Sequence, residues 1–198
     1  MMLILKEFRY RLWCIPAAVM IMLGFDLLMG IDAVFVEETI ILLPILICFT
    51  VYREKNGSEL LVVAPVATAN VRLIRFAASF FLFCVPMALY CLFVLDNAPE
   101  RFFVFVLSLA FVTSSFAFLL RTIVRNNVAA ALLSVALLLL LRNTVSWAGN
   151  LRFFQIFNSM EIISERIFYV GRATTVLYGT TLIGIAWLIL FFTERKRV

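Results

Sequence analysis

Six long apolar runs divide the chain: residues 12–31, 34–51, 76–95, 102–120, 128–141 and 174–193. A helix crossing the ~30 Å hydrocarbon layer of a bilayer needs about 20 mostly apolar residues. Five of the runs meet that length. The fifth is shorter and reaches it by running on to about Trp147, with Arg142 extending its guanidinium toward the interface. Pro44 and Pro86 lie inside the second and third runs, where each should bend its helix. Polar residues collect between the runs, in two stretches longer than a tight turn, 52–75 and 142–173. The pattern predicts an all-α integral membrane protein, one transmembrane domain over residues 1–198 with six spans.

Composition strengthens this expectation. Of the 198 residues, 65% are hydrophobic and 15% charged, against about 25% charged in an ordinary globular domain. Such a chain cannot clothe itself in water-compatible side chains, which excludes a soluble fold. Residues 1–11, carrying Lys6, Arg9 and Arg11, resemble the start of a signal peptide. The apolar core of a signal peptide is only about 7–15 residues long and ends at a small-residue site. Ile31-Asp32-Ala33 matches that site poorly, so 12–31 reads as an uncleaved first span.

The net charge of +5 suggests a nucleic-acid partner only until it is located. With the N-terminus inside, the inner segments hold Lys6, Arg9, Arg11, Arg53, Lys55, Arg72, Arg75, Arg121, Arg125, Arg195, Lys196 and Arg197. Arg101, Arg142, Arg152, Arg166 and Arg172 fall outside, together with most acidic residues. Lys and Arg concentrate in cytoplasmic segments, so the charge reports orientation: a multi-pass protein of the plasma membrane, both termini cytoplasmic, its contacts lipid rather than nucleic acid.

Several chemistries are removed outright. With no histidine, imidazole acid–base catalysis and His-ligated metals are impossible in this chain. Cys14, Cys48, Cys84 and Cys91 sit in apolar runs without metal-ligand spacing and read as buried thiols. No Gly-x-x-x-x-Gly-Lys-Ser/Thr loop occurs, so a phosphate-cradling P-loop is absent from the sequence. No catalytic residue or cofactor is expected.

The inner stretch 52–75 is the most informative. Gly57 and Ser58 suit a break and an N-cap, Glu59 stands near the start of a short helix, Leu60 to Ala64 are apolar, and Pro65 stops the run. Thr68 or Asn70 can cap the next helix. A short apolar helix held at the inner surface by basic flanks can dock another protein, or simply rest on lipid headgroups.

The string Arg53-Glu54-Lys55-Asn56-Gly57-Ser58-Glu59-Leu60-Leu61, with Pro65-Val66 after it, resembles the signature of permease subunits of type-2 ABC exporters, which lies between their second and third spans. The resemblance implies that 52–75 contains a coupling helix fitting a groove on a separate ABC ATPase subunit, with Glu54, Gly57, Ser58, Glu59, Leu60, Leu61 and Pro65 at the contact. ATP and Mg would then be held by that partner. Relatives commonly carry one more residue between the Gly-Thr or Gly-Ser pair and the acid, so the docking acid is Glu59 or Glu54. Their Lys before the third span is represented here by Arg72 or Arg75. The resemblance further implies a second permease copy or a homologous permease, an interfacial helix over 1–11, and short re-entrant helices between spans 5 and 6.

The residues agree with those implications without requiring them. Leu5, Phe8 and Leu12 recur at helical spacing among cations, as an interfacial helix or a plain topology anchor would. In 142–173, Phe153, Ile156, Phe157, Met160, Ile163 and Ile167 recur every three or four residues, so a short outer helical segment or an amphipathic surface loop fits. Asp26 is an intramembrane acid and a candidate on the substrate path, or lies at the outer headgroups beside Asp32. Ser108, Thr113, Ser114 and Ser115 make the fourth run the most polar. Such residues more often mediate helix packing than line a substrate path, for which Ser114 and Ser115 are the candidates. Thr180 and Gly184 form a small-residue pair that predicts a close helix contact in the sixth run. The aromatic, dry interior favours export of a hydrophobic or amphipathic peptide, antibiotic, drug or lipid. A non-transporting scaffold subunit of a larger membrane complex is the alternative, and it predicts stable association without nucleotide-driven movement.

Overall fold

The computed structural model describes residues 38–51, 68–94, 99–124, 126–145 and 165–195. Among these the backbone is helical apart from one turn, and no strand occurs. A π-helical turn, Glu38–Leu42, leads into α1 (Leu43–Val51). Then come α2 (Thr68–Val94), α3 (Pro99–Ile123), α4 (Asn127–Val145) and α5 (Glu165–Arg195). The first run, the N-terminal 1–11, and residues 52–67 and 146–164 of the two long stretches lie outside the described residues.

The helices overrun their apolar cores. Helix α2 starts at Thr68, so the last part of 52–75 is already helical and continuous with the third run. Helix α5 starts at Glu165 and absorbs the end of 142–173, while α4 continues past Leu141 to Val145. Local chemistry explains the boundaries. Pro99, whose missing N–H is harmless at a first helical position, opens α3 with Glu100 beside it in the first turn; Arg121 stands in the last. Asn126 caps α4, its Oδ1 accepting from the backbone N–H of Val128 at 2.9 Å and of Ala129 at 3.3 Å. Arg121 braces the turn, donating through Nε to Asn127 Oδ1 and through Nη1 to the Val124 carbonyl. Pro44, the second residue of α1, comes directly after the π-helical turn. A widened turn there makes room for a ring that would otherwise press on the carbonyl four residues back.

Interhelical contacts fix how the helices run. Phe76 lies 5.1 Å from Phe118 and Phe80 lies 5.5 Å from Phe111, ring centre to ring centre, so α2 and α3 are antiparallel. Arg172 sits over Phe105, and Gly179 meets Phe111 and Ser115, so α3 and α5 are parallel. Two parallel neighbours need a return between them, and α4 supplies it: its 19 residues cover about 28 Å. Cys48 touches both Ala117 of α3 and Ser134 of α4, placing those two at one depth of the α3–α4 hairpin. One end of the group therefore gathers the end of α1, the start of α2 with Arg72 and Arg75, Arg121, the α3–α4 turn and the end of α5. The opposite end holds Glu100, Arg101 and the beginning of α5.

The group is apolar outside as well as inside. Leu43, Ile47, Val51, Val106, Leu109 and Phe118 are buried in its centre, and Ser79, Ser108, Thr113, Ser114, Ser115, Ser134 and Thr175 are buried with them. Phe81, Ile123, Leu132, Leu140, Val170, Leu177 and Phe192 face outward. Two helical segments, Phe103–Ile123 and Tyr169–Thr193, are long and apolar enough to cross a membrane. In its most apolar stretch the second is only 22% buried, against 61% for the first. An apolar face of this kind suits contact with a membrane or with another chain.

Candidate functional site

Among the sequence-derived site residues, the structure describes Ser114 and Ser115. Both are fully buried on α3. Ser114 Oγ donates to the Ala110 carbonyl at 2.6 Å, and Ser115 Oγ to the Phe111 carbonyl at 2.5 Å. Thr113 and Thr122 bond back in the same way to Leu109 and Phe118, and Ser134 of α4 and Thr175 of α5 do likewise. Each hydroxyl proton is thus consumed within its own helix, which satisfies it without water in apolar surroundings. What such residues offer a neighbouring helix is small size. Asp26, Glu54, Gly57, Ser58, Glu59, Leu60, Leu61 and Pro65 lie outside the described residues.

Helices α3 and α5 approach each other closely at Gly179. A Cβ placed on Gly179 would stand 2.6 and 2.7 Å from two carbons of the Phe111 ring and 3.4 Å from Ser115 Oγ. Carbon atoms do not approach so closely without displacing one another, so this depth admits glycine alone unless Phe111 moves. The small-residue contact expected at Thr180 and Gly184 therefore falls one residue earlier. Both members of that pair face outward, and nothing lies within 4 Å of a Cβ on Gly184. The reason is register. Arg172, Thr175, Gly179, Ala186 and Leu190 recur at helical spacing on the buried face, and Thr180 and Gly184 are turned about 100° and about 140° away from Gly179.

Two turns before Gly179, Arg172 is only 7% exposed, and its guanidinium carbon lies 4.8 Å from the centre of the Phe105 ring. A guanidinium over an aromatic face gains electrostatic attraction that grows as water is excluded. Sequence reading assigned Arg172 to the outer stretch; it lies within α5, packed against α3. At the other end of α5, Trp187 Nε1 donates to Asn70 Oδ1 of α2 at 3.0 Å, across 117 residues of sequence, and the indole stacks on Phe191 at 5.4 Å. Asn70, a capping candidate from its sequence, is instead the third residue of α2 with its side chain turned to α5, and hydropathy offered no sign of that bond.

Cys48 and Cys84 are free and buried, as expected of thiols inside apolar runs, and Cys48 Sγ lies 3.8 Å from the Ala117 carbonyl. Among the described residues no three His, Cys, Asp or Glu side chains come together as a metal site. What the described residues show is packing and hydrogen bonding within and between helices, arranged around α3 and α5. No protein-family model, no curated protein and no solved structure matches this chain.

Proposed function

We propose that this chain is the permease subunit of an ATP-driven exporter, energised by a separate ABC ATPase. The observation that carries the reading is the string Arg53 to Leu61 with Pro65-Val66, set between the second and third apolar runs on the side favoured by Lys and Arg. The residues bracketing that string, Val51 and Thr68, lie at the end of the helix group where Arg72, Arg75 and Arg121 also gather. A loop emerging there from the cytoplasmic side is within reach of a soluble motor. Six spans, both termini inside, complete the topology, and a second permease joins the first to enclose a path for a hydrophobic or amphipathic cargo.

The mechanism is alternation between two helix arrangements. ATP closes the partner's motor, the 52–75 loop carries the displacement, and the helices shift. ATP must favour one arrangement for this to work. The chain itself performs no catalysis; ATP and Mg belong to the partner.

Purification from the native membrane tests the reading: an ATPase subunit is expected to co-purify in stoichiometric amount. A complex that contains other proteins but no ATPase supports a scaffold role instead. Replacing both acids, Glu54→Ala with Glu59→Ala, should leave insertion intact while severing ATP hydrolysis from transport. Unchanged coupling would remove the docking role from these residues.

A further inference from the structure

We infer that the hydrogen bond between Asn70 and Trp187 passes movement of the first turn of α2 to α5. Asn70 is the third residue of α2, directly after the stretch that the permease reading assigns to motor docking, and the inference rests on that reading. Helix α2 runs unbroken from Thr68 to Val94, and its one proline, Pro86, lies well beyond Asn70, so a push on the first turn moves at least the turns that pack on Phe118 and Phe111.

The contacts around α2 differ in kind. Against α3 it lays rings on rings, Phe76 tilted against Phe118 and Phe80 edge-on to Phe111, contacts that hold the two helices together by shape. Helices α3 and α5 are interlocked by Gly179 against Phe111 and by Arg172 over Phe105. The Asn70–Trp187 bond is directional and joins the first turn of α2 to the basic end of that interlocked pair. Trp187 is itself stacked on Phe191, one turn further along α5, so a pull on the indole is a pull on the helix. Hydrogen bonds between membrane helices are modest, and a link of this class biases an equilibrium roughly three- to fifteen-fold. That suits a connection that must transmit a displacement and also be remade in each cycle.

The test uses the chain reconstituted with its ATPase in lipid nanodiscs. The four native cysteines are replaced, and an environment-sensitive fluorophore is attached at Phe192→Cys, an exposed position at the same end of α5. ATP should change the emission. Trp187→Phe, which keeps a ring and loses the N–H, and Asn70→Ala should each shrink that change at least threefold, while Asn70→Asp, which keeps an acceptor, should retain most of it. A bond that only braces the fold would give a lower melting temperature with the ATP-dependent amplitude intact, and that result overturns the inference while the permease reading stands. A complex that hydrolyses ATP with no emission change in the parent chain overturns it equally. Failure of any ATPase to bind would bring down the permease reading, and this inference with it.

Discussion

Gly179 and Gly184 lie on one helix, five residues apart, and the same substitution should act on them in opposite directions. Alanine is favoured over glycine in a helix by about 1 kcal/mol. At Gly184 nothing opposes that gain, since the added methyl meets open space. At Gly179 the methyl would drive into the Phe111 ring, and overpacking of this kind costs about 1–3 kcal/mol. Thermal unfolding in detergent should place Gly184→Ala at or above the parent chain and Gly179→Ala below it. Adding Phe111→Leu to Gly179→Ala should recover part of the loss, because a smaller side chain vacates the clash. Equal effects at both positions would contradict the α3–α5 contact. The hydropathy of the run shows two glycines in similar surroundings; only the rotation of α5 against α3 distinguishes them.

At the level of elements, apolar length identified the helices and polar chemistry set their ends. The run 128–141 is too short to span by itself, and α4 reaches Val145 at one end. At the other end Asn126 turns a sequence of two asparagines into a cap, satisfying N–H groups that the first turn leaves without intrahelical partners. Asn126→Ala should cost about 1 kcal/mol, while Asn126→Asp, which also caps, should stay near the parent in the same unfolding measurement. No loss on Asn126→Ala would mean that the α3–α4 turn is held by Arg121 alone. The early start of α2 was marked by its capping residues, Thr68 and Asn70, the first of which opens the helix, whereas that of α5 was not legible. Thr68 to Arg75 and Glu165 to Ala173 are mixed in polarity, and a window that scores apolarity stops where charge begins although the helical backbone continues.

For the molecule as a whole, parallel packing of α3 with α5 and antiparallel packing of α2 with α3 bring Arg72, Arg75 and Arg121 to one end, away from Glu100. In the proposed topology, which rests on the bias of Lys and Arg, that end faces the cytoplasm. With the native cysteines replaced, Glu100→Cys should react with a membrane-impermeant maleimide in intact cells, and Asn126→Cys only after permeabilisation; both positions are exposed. The reverse pattern would invert the topology and put the 52–75 loop beyond reach of an ATP-driven motor.

The division of labour between sequence and fold comes from what each encodes. Hydrocarbon content and the placement of Lys and Arg are sums along the chain, so the apolar runs, the all-helical character of the described residues and the expected orientation could all be read before any contact was known. Contacts between helices depend on which face of each turns toward a neighbour, and in apolar surroundings hydropathy no longer marks that face, since both sides are greasy. The tertiary structure alone chose Gly179 over Gly184, drew Arg172 onto Phe105, brought Asn70 to Trp187, and showed the Ser114 and Ser115 hydroxyls turned back onto their own helix.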